Sequence, residues 1–405
     1  MAEGVVVTGM GIVSSIGFNV DETLHSLMIG KTGIGKISIL ETIHRDEFVL
    51  GEIKLTHQQL MEKLGVDLNL PWTRTALLGV WAARQAYQSA GLSTNSGKRI
   101  GLVSASTVGG MDRSELYYKD FLTDAIHKNH IDTHHAGNST EMIADDLNIH
   151  DYLTTISTAC SSSLNSIMFG ARLLKHNLLD AVIVGGTDAL SRFTLNGFNT
   201  LMILDHEHCR PFDATRRGLN LGEGAGYLVL ERTSDAIAGK KQMIAKVAGY
   251  ANANDAFHQT ASSDNGEGPF LAMKLAIAKA GLQPDEIDYI NVHGTGTDNN
   301  DLTEGVAMKR LFGDQVPPFS STKAFTGHTL GATGVIESII SILSMNNDKV
   351  FPNINFKEVI EEINLVPVSQ LTDLNINHVL TNSFGFGGND SSVVFSKVQS
   401  NISRT

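Results

Sequence analysis

At 405 residues the chain is long enough for two domains or for one large two-part body. Hydrophobic residues make up 42%, which excludes a disordered protein, and a net charge of −12 without a dense Lys/Arg run excludes direct nucleic-acid binding. Two cysteines cannot build a disulfide framework, no apolar run reaches the roughly 18 residues of a membrane span, and Met1 to Gly4 run straight into "VVVTGMG" without a secretory leader, so the expected location is a reducing cytoplasm.

In chain order, "VVVTG" predicts a buried strand, and Asp21 is the expected cap of a short helix ending at Ile29. Residues 31–70 lack periodicity and read as loop. "RTALLGVWAARQAYQSAGL" (74–92) predicts a helix closing near Gly91, and "RIGLVSAS" a strand. "SLNSIMFGARLLKH" reads as an apolar helix, followed by the strands "DAVIVGG" and "GAGYLVLER" (224–232). Apolar runs alternating with helices are the pattern of an α/β sheet protein. After about residue 240 the order restarts, with a helix over 269–282 and the strand "EIDYINVHG". Ala90-Gly91-Leu92 and Ala280-Gly281-Leu282 lie 190 residues apart, and the same offset sets Ile100 on Ile290 and Leu102 on Val292. "TISTACSSSLNSIMFGARLL" has a counterpart in "SSTKAFTGHTLGATGVIESIISIL". These matches predict an internal duplication, with halves at 1–240 and 241–405 packed as one body.

Chemistry concentrates in the loops. Cys160, in "STACSSS", reads either as a small buried hydrophobe or as a nucleophile at the start of the following helix. In the second reading the helix dipole and free N–H groups favour a thiolate and can hold an oxyanion, and Ser161 to Ser163 leave room for a substrate. Cys209 reads as structural. The cluster His206, His208 and Cys209 fits no common metal spacing, so no metal is expected. His293 opens "HGTGT" after a strand, and His328 sits in "KAFTGHTLGATG" before an apolar helix. Each alone could be a structural imidazole; together, opposite a cysteine in the other half, they read as a site. His127, His130, His134 and His135 lie in a polar stretch and read as solvated surface. "GFGGND" (385–390) is a turn, hinge or cradle, and the absence of a GxxxxGKS/T sequence gives no support for nucleotide phosphate binding.

"STACSSS", "HGTGT", "KAFTGHTLGATG" and "NSFGFGG", in this order and spacing, resemble the β-ketoacyl-acyl-carrier-protein synthases, the condensing enzymes of fatty acid and polyketide synthesis. "VVVTGMGIVSSIG" and "PFDATRRGLNLGEGAG" look like the same family, and the resemblance runs from Val5 to Phe395. It implies a thiolase-like, five-layered αβαβα body built from two duplicated halves. It also implies decarboxylative Claisen condensation of an acyl-enzyme thioester with malonyl-acyl-carrier protein. Cys160 matches the nucleophile, and His293 and His328 the pair that stabilises the enolate. Lys323 matches the active-site lysine, with Glu304 as its expected ionic partner, and Glu337 an acidic residue ordering the surroundings of His328. The backbone N–H groups of Cys160 and Phe386 would form the oxyanion hole. Thr295 and Thr297 would hold the phosphopantetheine arm, Phe386 would gate the acyl pocket, and Val108 would line its far end. Arg216 and Arg217 would contact the carrier.

The resemblance implies no cofactor of the chain's own, since the phosphopantetheine belongs to the carrier. It implies an acyl carrier protein as partner and a homodimer, or a heterodimer with a related chain. The family's last glycine loop usually closes on Thr-Asn, where this chain has Asn389-Asp390. The rival within the family is a chain-length factor, which lacks the nucleophile. A papain-like hydrolase would place its His about 130–150 residues beyond the Cys, and Cys160 to His293 spans 133; the flanks of Cys160 are of the wrong kind. A scaffold protein has no need of Cys160, Lys323 and two loop histidines together.

Overall fold

Strand β1 (Val5–Ser14) is buried along its whole length, as its apolar run requires. The computed structural model describes residues 3–398, so the last seven residues of the expected second half lie outside it. Helix α1 (Arg74–Ser89) lies against β1. Thr73 caps it by accepting from the Ala76 N–H, and Gly91, at φ 57°, turns the chain out. The first half continues with β2 (Ile100–Ala105), β3 (Tyr152–Ile156), helix α2 (Ser162–Lys175), β4 (Ala181–Asp188) and β5 (Gly224–Arg232). The second half holds β6 (Ala245–Asn254), α3 (Glu267–Ala280), β7 (Tyr289–Asn291), α4 (Asp298–Phe312), β8 (Phe319–Ser320), α5 (Thr333–Asn347), β9 (His378–Gly385) and β10 (Asn389–Ser396).

These ten strands form one sheet, hydrogen-bonded in the order β8-β7-β9-β10-β6-β1-β5-β4-β2-β3. The order is its own mirror image: β1 corresponds to β6, β5 to β10, β4 to β9, β2 to β7 and β3 to β8. The directions repeat as well. β2 pairs in parallel with β3 and β4, and β7 with β8 and β9, while the remaining pairs are antiparallel. The halves meet where β1 joins β6 through two residue pairs, Val6 with Lys246 and Val7 with Ala245.

Helices α2 and α5 touch each other and strands of both halves, so they form the middle layer, with α1 and α3 on the outside. Their sequences suit that place. In α5, "TGVIESIISILSMNN", every residue from Thr333 to Met345 is buried, as expected of a helix apolar on all sides. Each buried Ile there contributes about 1.5–3 kcal/mol relative to exposure. Glu337 is the one charged residue in this helix.

The duplication extends to individual contacts. A Cβ on Gly9 would lie 2.4 Å from the Ala86 carbonyl oxygen and 2.7 Å from the Ala90 nitrogen. One on Gly249 would lie 2.2 Å from the Ala276 oxygen and 2.5 Å from the Ala280 nitrogen. Glycine therefore lets α1 and α3 close on their strands in the same way.

Several elements differ from expectation. The first short helix spans Val20–Met28 and is capped by Asn19, whose side chain accepts from the Glu22 N–H; Asp21 lies inside the first turn. The stretch 31–70 contains a helix, His57–Leu64, fixed by a capping box between Thr56 and Gln59. His127 and His130 are not fully solvated, because both rings pack on Tyr117. Among the described residues no helix is long and apolar enough to cross a membrane.

Gly249→Ala is expected to destabilise the protein by about 1–3 kcal/mol through overpacking. A denaturant-unfolding midpoint equal to wild type would show that α3 can move away from the strand at no cost.

Candidate active site

The chain reaches Cys160 through a tight turn. Thr158 and Cys160 form an isolated bridge around Ala159, whose φ of 54° puts a non-glycine residue in the left-handed region. Ser162 holds the turn: its Oγ accepts from the Thr158 N–H at 2.8 Å and donates to the Ala159 carbonyl. Ser383 Oγ donates to the Cys160 carbonyl at 2.8 Å, tying the turn to β9. Helix α2 begins two residues after the cysteine, at Ser162.

From the other half, His293 follows β7 and His328 precedes α5. His328 Nε2 lies 3.1 Å from Cys160 Sγ, and the two imidazoles meet edge to face at 5.4 Å between ring centres. Cys160, His293 and His328 each present a ligand-type atom within 4.8 Å of the others, and all three are buried. They line a cleft of about 270 Å³, together with Thr295, Thr297, Phe386, Phe198 and Arg217.

Both ring protons are assigned by their neighbours. The Leu330 N–H donates to His328 Nδ1 at 3.3 Å, and Lys323 Nζ lies 3.2 Å from His293 Nδ1. An ammonium can only donate, so both Nδ1 atoms accept and both rings carry hydrogen on Nε2. Both imidazoles are held neutral: burial pushes their pKa values well below the ordinary range, and the Lys323 charge pushes the same way.

Lys323 is 1% exposed and uses all three of its donors. They go to His293 Nδ1, the His293 carbonyl and Glu337 Oε1, the last at 2.6 Å. The expected pairing with Glu304 does not form. Glu304 instead accepts from the N–H groups of His293 and Gly294, at 2.9 and 2.8 Å, and from Asn382 Nδ2. Burial pushes both carboxyls up to about 7; Lys323 opposes that rise for Glu337, and the loop N–H groups oppose it for Glu304.

Cys160 also departs from expectation. It is 7% exposed, and burial pushes its thiol up to about 11, so it rests as a neutral thiol rather than a thiolate. The Lys323 charge and the backbone N–H groups of Phe386 and Cys160 favour the anion but do not outweigh desolvation. Cys209 is a buried free thiol, as expected of a structural residue.

A family model described as "Beta-ketoacyl synthase, N-terminal domain" matches residues 2–236, and its companion "Beta-ketoacyl synthase, C-terminal domain" matches 244–357. The chain belongs to the beta-ketoacyl synthase family. A 3-oxoacyl-acyl-carrier-protein synthase 2 of Staphylococcus aureus is 34% identical, over 98% of each chain. The solved ishigamide ketosynthase/chain length factor superposes with a TM-score of 0.91 at 30% identity, covering 98% of this chain and 100% of that one. A type II polyketide ketosynthase, solved with its acyl-carrier protein and a bound hexaketide, gives a TM-score of 0.85 at 25% identity over 98% and 100% of the two chains. This synthase is thus an acyltransferase of the condensing type, with a Cys-His-His site.

The remaining expected residues divide. Thr295 and Thr297 line the cleft, with their hydroxyls 2.8 Å apart. Phe386 stacks on Phe198 at the cleft wall. Val108 lies outside the cleft, in an adjoining apolar cluster with Leu190, Leu330 and Phe198. Arg216 is folded into the neighbouring loop. Its side chain is 7% exposed and its guanidinium donates to the carbonyls of Asp213, Thr297 and Asp298. Arg217 is exposed at the cleft. Asp390 is fully buried with no partner for either oxygen, and burial beside Asp255 and Glu304 pushes it up to about 8.

One residue escaped the sequence reading. Asp301, one turn before Glu304 on α4, accepts from the N–H groups of Thr295 and Gly296 and from that of Phe212. The two acids hold the "HGTG" backbone from one helix face, and their i, i+3 spacing was the available signal.

Alkylation of Cys160 by iodoacetamide is expected to rise about tenfold per pH unit from pH 7 to 9, because the thiolate fraction does so below the pKa. A rate that levels off below pH 8 would contradict burial as the controlling effect.

Proposed function

We propose that Cys160 takes an acyl chain from a carrier thioester and condenses it with malonyl-carrier protein, releasing carbon dioxide and a β-ketoacyl-carrier product. The observation that carries this reading is a pair of imidazoles beside the Cys160 sulfur, His328 with its Nε2 3.1 Å away and His293 with a ring nitrogen within 4.8 Å, each with its Nδ1 engaged as an acceptor. Such an arrangement is poor for a Cys-His hydrolase, whose imidazole must accept the thiol proton on the ring nitrogen that faces the sulfur. It is good for donating to an oxyanion.

In the first half-reaction Sγ attacks the acyl carbonyl, and the thiol proton ends on the departing carrier sulfur. In the second, the malonyl carboxylate leaves as carbon dioxide and its electron pair passes to the thioester enolate. The enolate oxygen accepts from Nε2–H of His293 and His328. The α-carbon attacks the acyl-Cys carbonyl. The tetrahedral oxygen is held by the N–H groups of Cys160 and Phe386, which already favour negative charge on the sulfur. Collapse expels the Cys160 thiolate, which takes a proton from solvent water.

Thr295 and Thr297 hydrogen-bond the phosphopantetheine arm, Phe386 gates the acyl pocket, and Val108 borders its far end. Lys323, Glu337 and Glu304 support the histidines. The half 1–240 supplies the nucleophile and 241–405 the histidines. The acyl-carrier partner of the polyketide relative supports a carrier partner here, in fatty acid or polyketide elongation, with the chain working as a homodimer or beside a related chain. Two free cysteines, one of them the nucleophile, suit a reducing cytoplasm.

Cys160→Ala is expected to abolish acyl loading and condensation but keep malonyl decarboxylation, whereas His293→Ala loses decarboxylation by about 10²–10³-fold. Radiolabelled carbon dioxide release against product formation separates the steps; loss of both in folded Cys160→Ala would refute the division of labour.

With Arg216 tied into the loop, docking of an acidic carrier rests on Arg217. Arg217→Glu is expected to raise KM for carrier-bound substrate several-fold, with little change for a small pantetheine thioester and a weaker salt dependence than wild type. Equal loss with both substrates would remove Arg217 from the docking surface.

A further inference from the structure

Asp188 ends β4 and is completely buried, at a point where two loops from opposite halves come together. Its carboxylate accepts from both. Oδ1 takes Ser106 Oγ at 2.7 Å and the N–H groups of Thr107 and Val108 at 3.0 and 3.3 Å. Oδ2 takes Thr107 Oγ1 at 2.6 Å and the Gly331 N–H at 2.7 Å. Burial pushes its pKa up, and these donors oppose the rise.

The two loops end in different parts of the site. After β2, the first turns at Gly109 and delivers Val108 to the apolar cluster. The second runs from His328 to Gly331. Its Leu330 donates the N–H that fixes the His328 ring proton, while the Leu330 side chain sits in the same cluster as Val108. Contact at Gly331 is tight: a Cβ there would come within 2.8 Å of Asp188 Oδ2.

We infer that Asp188 is a positioning residue that locks loop 106–109 to loop 329–331, so that one carboxylate sets both the depth of the acyl pocket and the orientation of His328. This rests on the condensing reading above. Replacement by Asn keeps the shape but turns an amino group toward one set of N–H donors. Thr107→Val removes a hydroxyl on the pocket side and leaves the Gly331 bond in place.

Both variants are compared with wild type for acyl loading, malonyl-carrier decarboxylation, product chain length and, in the free enzyme, iodoacetamide alkylation of Cys160. Asp188→Asn is expected to lower decarboxylation about tenfold while loading stays within about twofold, the signature of a misdirected donor rather than a lost fold. It also shifts the chain-length profile, and it speeds alkylation at fixed pH, because Asp188 opposes the Cys160 anion. Thr107→Val shifts chain length alone. A folded Asp188→Asn with unchanged decarboxylation, or with loading and decarboxylation lowered equally, overturns the inference. If Asp188→Asn does not fold, Thr107→Val decides: a chain-length shift at wild-type decarboxylation supports it, and an unchanged profile overturns it. A wild-type enzyme that fails to decarboxylate malonyl-carrier protein refutes the condensing reading instead, and the alkylation rates still decide whether Asp188 acts on the site.

Discussion

A single buried ammonium organises the active site. Lys323 sits among residues with almost no access to water, where an isolated charge would be costly. Its cost is offset by the carboxylate of Glu337 and by two bonds to His293, one to the ring and one to the backbone. Because an ammonium cannot accept, the His293 ring has one choice of tautomer. Because it is positive, both imidazoles lose affinity for a second proton. Removing either acidic support would leave a different defect: without Glu337 the ammonium loses its counter-charge, and without Glu304 the N–H groups of His293 and Gly294 lose their acceptor. The two carboxylates resemble each other in burial, but Glu304 holds the backbone of the His293 loop and Glu337 holds the lysine that bonds to its ring.

The fold explains why these groups come from distant parts of the chain. Each half ends a strand beside the middle layer, and the loops there face one another across α2 and α5. The nucleophile therefore comes from the turn before α2 and the histidines from loops of the other half. Gly385 takes part in this approach, since a Cβ on it would lie 3.0 Å from the Thr158 carbonyl oxygen and 3.3 Å from the Ala159 Cβ.

Much of this was legible in the residues. The 190-residue offset rested on Ala90 and Ala280, which prove to be the residues that touch Gly9 and Gly249 in the two halves. The motifs around Cys160, His293 and His328 marked three loops that do converge. The partner of Lys323 was misread because spacing along the chain carries no direction: Glu304 is 19 residues away and Glu337 14. A better signal was composition, since Glu337 is the one charge in a helix buried on all sides and so required a cation. Arg216 and Arg217 are adjacent and chemically alike, and only the three-dimensional path of the "HGTGT" loop sends one guanidinium inward. The helix at 57–64 was missed because its polar face hides the period, although the Thr56–Gln59 capping box was there to be read. The resting state of Cys160 depended on how the halves close over it, which no local pattern encodes.

The burial that keeps Cys160 protonated has a consequence for survival in a cell under oxidative stress. Peroxide and disulfide exchange act on thiolates, so a buried cysteine that rests as a thiol is a slow target for sulfenic acid formation. Attack on a thioester is favoured when a substrate carbonyl fills the cleft, because the surrounding N–H groups and cation can then act on charge as it develops. The same desolvation that holds the resting sulfur protonated thus lowers the thiolate fraction open to peroxide between turnovers.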